Sequence, residues 1–199
     1  MIKIIFLLSC TILLSLNTNA QDFEMNGSEI GFDVAFSAST NGGNIGLGLK
    51  YGLNFGENLI LGPSVRYERT WVKNQIAGVN GSYNVYGGGV FGHYRFQNVL
   101  FVGVEFEMLK SPYTTSGQLT NLGQLTFNPN WVPTLFLGGG FSREFNESFR
   151  INAGIMYDVI NHKNSPFRPS YSFTIKDEQG GVTKTLPIIF RLAFFIPLS

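Results

Sequence analysis

The stretch IGLGLKYGLNF, residues 45–55, decides the fold. Ile45, Leu47, Leu49, Tyr51, Leu53 and Phe55 fall on one side of a two-residue period, and Gly46, Gly48, Lys50, Gly52 and Asn54 on the other. Strict alternation over this length marks a β-strand with one apolar and one polar face. A helix would scatter the same residues around its whole circumference. About ten residues at a tilt of about 45° is also the length at which a strand crosses a bilayer.

Seven further segments repeat the pattern. Ile30 to Ala38 sets Ile30, Phe32, Val34 and Phe36 against Gly31, Asp33, Ala35 and Ser37. Leu59 to Trp71 sets Leu59, Leu61, Val65 and Tyr67 against Gly62, Ser64, Arg66 and Glu68. In Tyr83 to Phe96 the outward set is Tyr86, Val90, Tyr94 and Phe96, with His93 and Arg95 inward. Val99 to Met108 sets Leu100, Val102, Val104, Phe106 and Met108 against Gly103, Glu105 and Glu107. Val132 to Phe145 turns Leu135, Leu137 and Phe141 outward. Phe149 to Ile160 sets Phe149, Ile151, Ala153, Ile155, Tyr157 and Val159 against Arg150, Asn152, Gly154 and Asp158. Thr185 to Ile196 turns Leu186, Ile188, Phe190, Leu192, Phe194 and Ile196 outward and Arg191 inward.

The connections are expected to alternate in length. Gly56-Glu57-Asn58, Gln97-Asn98 and Asn146-Glu147-Ser148 are tight turns, whereas 39–44, 72–82, 109–131 and 161–184 are longer. Membrane barrels have short periplasmic turns and longer outer loops. Strand faces and loop lengths therefore point to one topology: an all-β, eight-stranded antiparallel up-and-down transmembrane β-barrel. Within the longer connections, Gly-Gln-Leu-Thr occurs twice over 117–126. Tyr171 to Ile175 and Val182 to Thr185 flank the turn-forming Asp177 to Gly181, which predicts a hairpin beyond the membrane.

Composition agrees. Charged residues are 14% of the chain and aromatics 15%, against about 25% charged in soluble domains, so much of the surface must be apolar. The 24 glycines disfavour long helices. A net charge of +1 points away from nucleic acid and strongly acidic substrates. Residues 1–20 read as a Sec-type signal peptide, with Lys3, an apolar run from Ile4 to Leu16, and Thr18-Asn19-Ala20 before cleavage at Gln21. The alternative, lipoprotein processing at Cys10, would cut that run in half. With cleavage at Gln21 the only cysteine leaves, and residues 21–199 form one barrel domain without thiol chemistry.

Charge decides which face meets lipid. Lys50, Arg66, Arg95, Arg150 and Arg191 share the polar faces with Asp33, Glu68, Glu105, Glu107 and Asp158, five of each sign. An eight-stranded barrel is only just wide enough for side chains to fill, so its bore cannot hold the large apolar set of every strand. The charges are therefore expected inside, as an ion-pair network, because an unpaired buried charge costs several kcal/mol. Tyr67, Trp71, Tyr113, Trp131 and Tyr157 are expected at the outer rim, where an aromatic ring with a polar end suits the interface. Phe55, Phe96, Phe145 and Phe149 mark the turn end.

With its leader, eight amphipathic segments and the terminal strand LPIIFRLAFFIPLS, the chain resembles the small outer-membrane barrel families. These are the OmpA/OmpX-like superfamily and the outer membrane protein beta-barrel or porin-family domains of Bacteroidetes. The resemblance covers nearly all of residues 21–199. It implies the outer membrane of a Gram-negative bacterium, lipopolysaccharide as a neighbour and the barrel assembly machinery as a partner during biogenesis. Many such barrels end in an aromatic residue that this machinery reads, whereas this chain ends Pro197-Leu198-Ser199. Either Phe195 takes that role or a different signal does.

Chemistry is sparse. His93 reads as a satisfied lumen residue. His162, Ser165 and Asp158 near the outer rim resemble the set of a lipid-modifying enzyme, but nothing in their spacing requires a base within reach of a nucleophile. No histidine or cysteine spacing suggests a metal, and no cofactor motif is present. Gly87-Gly88-Gly89 and Gly138-Gly139-Gly140 precede no helix and read as strand glycines in a tightly curved wall. Arg69, Lys73 and Lys110 are candidates for contact with lipopolysaccharide phosphates. The sequence thus predicts a barrel with a plugged polar lumen, working through outer connections 109–131 and 161–184 that could meet an unknown extracellular partner. The alternatives are a narrow channel, a lipid-modifying enzyme and a soluble periplasmic ligand-binding barrel.

Overall fold

The structure, a computed structural model, describes residues 25–39, 42–74, 79–97, 99–111, 130–145, 148–168, 171, 173–176, 178 and 182–198. The leader with its cleavage point, Tyr113, and the repeat at 117–126 lie outside the described residues, as does the side chain of Lys73. The strands are β1 (Met25–Ser39), β2 (Gly42–Phe55), β3 (Leu59–Asn74), β4 (Val79–Phe96), β5 (Leu100–Ser111), β6 (Asn130–Phe145), β7 (Phe149–Asp158), β8 (Phe173–Lys176), β9 (Val182–Leu186) and β10 (Ile188–Leu198). Neighbours pair antiparallel from β1 through β7, then β10 closes onto β1, giving the expected eight-stranded barrel. β8 and β9 form the expected hairpin as a separate two-stranded sheet.

Two connections differ from expectation. Ser39 pairs with Gly42, so the first outer connection is residues 40–41, shorter than the turn Gly56–Asn58 at the opposite end. Asn74 pairs with Val79, which confines the second to 75–78. The apolar alternation marks only the middle of each strand, whereas backbone pairing carries the ladder on through Gly42, Gly43 and Asn44. The alternation of short and long connections therefore fails at the first outer connection and holds for 112–129 and 159–187.

The stagger of the barrel can be read from one line of paired residues. It leaves β6 at Glu144 and passes through Arg150, Phe195, Gly31, Lys50, Ser64, Gly89 and Glu107. It returns to β6 at Thr134, which is 144 minus 134, or ten residues, from its start. A stagger of that size over eight strands tilts each by about 40° and leaves a bore that side chains fill.

Outside lies an apolar belt. Val34, Phe36, Ile45, Leu47, Val65, Tyr86, Val90, Val102, Leu137, Phe141, Ile155, Phe190 and Ile196 are all exposed, with Phe36 reaching 72%. Ile45 to Phe55 along β2 spans about 25 Å of axial height at this tilt, the thickness of a membrane barrel's apolar band. Inside, Asp33, Lys50, Arg66, Glu68, Arg95, Glu105, Glu107, Arg150, Asp158 and Arg191 are all buried. The bore also holds two apolar clusters. One contains Tyr83, Val85, Leu109, Phe136, Met156, Phe167 and Ile189. The other contains Ile60, Phe91, Ala193 and Phe195.

Candidate functional site

The interior is a stack of layers. Glu105 and Glu107 alternate inward along β5 and face cations from the far wall. Lys50 on β2 bridges Asp33 at 3.0 Å and Glu105 at 2.6 Å. Arg66 on β3 grips Glu107 with Nε at 3.0 Å from Oε2 and Nη2 at 3.0 Å from Oε1, while Nη2 also donates to Asp33 at 3.1 Å. Arg191 on β10 meets Glu105 as an ion pair at 3.1 Å and lies 3.7 Å from Asp33. Nε2 of His93 lies 3.0 Å from Glu105. Lys50, Arg66 and Arg191 thus face Asp33, Glu105 and Glu107 in one connected cluster, with Lys50 only 1% exposed.

Aromatic rings bracket this cluster. Lys50 lies over Phe91 at 5.2 Å. On the outer side Arg191 lies over Phe136 at 5.2 Å and over Phe167 at 5.8 Å, and Arg66 over Phe167 at 5.6 Å. Such desolvated cation–π contacts contribute about 1–2 kcal/mol each. At the turn end a second charge group forms. Arg95 grips Glu29 through two bonds of 2.8 and 2.7 Å and stacks over Phe195 at 5.1 Å, while Arg150 pairs with Glu144. These groups and Asn54 line a polar vestibule of about 410 Å³.

At the outer end, part of the fourth outer connection enters the bore. Phe167 folds into the bore, buried, its ring 4.9 Å from Phe136 and nearly perpendicular to it. The segment is tied to Asp158 at the end of β7: Ser165 Oγ donates at 3.3 Å, Tyr171 OH at 2.8 Å and the Asn161 N–H at 3.0 Å. Burial and the adjacent carboxylate push the Tyr171 phenol up from its ordinary range, which keeps it a donor to Asp158. Arg168 holds the same segment through the carbonyl of His162 at 3.2 Å.

The structure divides the predicted charge set. Asp33, Lys50, Arg66, Glu105, Glu107 and Arg191 come together. Arg95 and Arg150 belong to the turn-end group with Glu29 and Glu144, which the sequence reading passed over. Glu68 is a correction within the network: it is held by Asn44 Nδ2 at 2.8 Å and Thr70 Oγ1 at 3.3 Å, with no ion pair among the described residues. Asp158 is a second, since its side-chain partners among the described residues are hydroxyls and a backbone amide. His162 and Ser165 are not joined side chain to side chain among the described contacts: Nδ1 of His162 accepts the Asn164 N–H at 3.1 Å, whereas Ser165 bonds Asp158. Phe195 faces the bore, fully buried beside Phe91 and His93.

At the rim, Tyr67, Trp131 and Tyr157 are exposed and Trp71 is half-buried. Tyr67, Tyr86, Lys110 and Trp131 occupy one line of paired positions across β3 to β6. Lys110 lies over the Tyr86 ring at 5.9 Å, and Trp131 packs edge-on to Tyr86 at 6.4 Å. Arg69 is exposed outward near this line.

No family model matches the chain, and no curated protein matches it. Among solved structures, the chain is similar to the Yersinia pestis outer membrane protein Ail, whose backbone structure was determined in a phospholipid bilayer nanodisc. The two are 15% identical, with a TM-score of 0.48, over 88% of this chain and 100% of Ail.

Proposed function

We propose that this chain is an integral outer-membrane β-barrel with a filled polar lumen, serving a structural and interaction role through its outer connections. One observation carries the reading: around the barrel the exposed face is apolar while the ionised groups are buried in the bore. An apolar exterior of that extent is unfavourable in water, where exposed patches rarely exceed a few hundred Å². In hydrocarbon it is the stable arrangement, and a closed sheet satisfies its own backbone. Phe167, the two apolar clusters and the ion-pair cluster supply the filling. The longer connections 112–129 and 159–187 share one end with the aromatic row and are read as extracellular. The exposure of Arg69 and the position of Lys110 beside the aromatic row support lipopolysaccharide phosphates as their partners.

The reading is non-enzymatic, supported by the hydroxyl of Ser165 already donating to Asp158 and by Nδ1 of His162 being taken by a backbone amide. One second reading, a narrow path for water or ions, is favoured by the turn-end vestibule and by buried polar atoms that have no hydrogen-bond partner among the described residues, at His93 Nδ1, Arg95 Nε and Asn152.

The test of the main reading is gel mobility of protein from the outer-membrane fraction, with and without boiling in detergent. A closed membrane barrel keeps its compact form in cold detergent and shifts on boiling. Protein recovered in the soluble periplasm with no shift refutes the reading.

A further inference from the structure

The β8–β9 hairpin rises from the rim where β7 has ended. It pairs Phe173 with Leu186 and Ile175 with Lys184. β9 runs into β10 with alternation intact across Pro187: Pro187 and Ile189 are buried, while Phe190 is exposed. The face of the hairpin that carries Phe173, Leu186, Ile175 and Lys184 therefore continues the outer face of the barrel. Phe173 makes the join, its ring 5.7 Å from that of Phe190. Phe173 is 38% exposed, Ile175 47% and Phe190 68%. Lys184 is exposed at the level of Ile175.

A two-stranded hairpin is marginal in water by itself. This one also presents aromatic and branched apolar side chains on an exposed face continuous with the belt. A lysine beside such a face can lay its methylene stem along apolar surface and keep its ammonium at the polar boundary. We propose that the outward face of the β8–β9 hairpin is a lipid-binding surface, with acyl chains of the outer leaflet covering Phe173 and Ile175 and Lys184 at the phosphate level. The inference rests on the outer-membrane reading above and deepens it. It makes the apolar belt taller on this sector and assigns this part of the fourth outer connection to the membrane rather than to a soluble partner.

Depth-dependent quenching tests it. In the full chain with Trp71→Phe and Trp131→Phe, single tryptophans are placed by Phe173→Trp, Ile175→Trp, Val102→Trp in the belt and Glu178→Trp near the hairpin tip. Each variant is folded into phosphatidylcholine vesicles whose acyl chains carry bromine, and its closure is checked by the boiling shift. Phe173→Trp and Ile175→Trp are expected to lose most of their fluorescence to the brominated chains, as Val102→Trp does, while Glu178→Trp responds to aqueous iodide instead. If Phe173→Trp and Ile175→Trp follow Glu178→Trp while Val102→Trp is still quenched by lipid, the hairpin face is not lipid-covered and the inference fails alone. If Val102→Trp also escapes lipid quenching, the outer-membrane reading falls with it. Either reporter suffices where the other variant does not fold.

Discussion

Arg66 holds the centre of the bore. Its guanidinium meets Glu107 through two nitrogens and Asp33 through one, and its outer face carries Phe167. Removing one partner of a buried pair leaves an uncompensated charge, at a cost of about 3–5 kcal/mol. Arg66→Met is therefore expected to lower stability by about that amount, read from urea unfolding of vesicle-folded protein. Adding Glu107→Leu to the same chain is expected to restore part of the loss, because the carboxylate left behind is then removed as well. A double variant that falls by the full sum of the two single losses would show that the pair is not coupled. At this scale the sequence was legible where parity separated charge from hydrocarbon, as for Lys50, Glu105 and Arg191. It was illegible for Phe91, Phe136 and Phe195, because an apolar residue beside an apolar neighbour leaves no alternation to read. Glu29 was missed for another reason: its partner Arg95 lies on β4, at a sequence separation that no local pattern reports, whereas Glu144 meets Arg150 directly across the tight β6–β7 turn.

At the scale of elements, strand β4 illustrates how close the walls approach. A Cβ on Gly89 would lie 1.8 Å from the carbonyl oxygen of Phe106 and 2.7 Å from the Cα of Glu107. Gly31 plays the complementary part on β1, leaving room for the Phe195 ring, whose Cε1 would stand 2.6 Å from an added Cβ. Gly89→Val is expected to abolish the boiling shift, whereas Val90→Ile, on the outward face next to it, leaves it intact. Equal folded yields for the two would mean that the wall there has slack. The existence and order of the strands followed from the sequence, since each needs an apolar stripe. Their ends did not follow, because beyond the belt backbone hydrogen bonds alone hold the ladder and any polar residue serves. The same is true of the segment carrying Phe167: nothing in Asn164-Ser165-Pro166-Phe167 distinguishes a ring folded inward from one in solvent until Asp158 and Phe136 are in place.

For the whole molecule, the question is whether the bore conducts. On the filled-lumen reading, the ion pairs, the aromatic brackets and Phe167 block the path between the turn-end vestibule and the outer connection. In planar bilayers the folded chain is expected to give no current steps above the leak of the bare membrane. Steady, reproducible steps that vanish with denatured protein would favour the channel reading over the filled one.

The placement of the central charges also bears on how the chain can reach this state. Glu105 and Glu107 find their cations on β2, β3 and β10, and Asp33 on β1 meets Arg191 across the seam between the first and last strands. No single hairpin entering hydrocarbon by itself carries all of these groups already neutralised. A sheet inserted strand by strand would drag bare ions through the bilayer until the last strand arrived. On the outer-membrane reading, insertion and closure are expected to be coupled, because Glu105 and Glu107 are neutralised only once β2, β3 and β10 are in place.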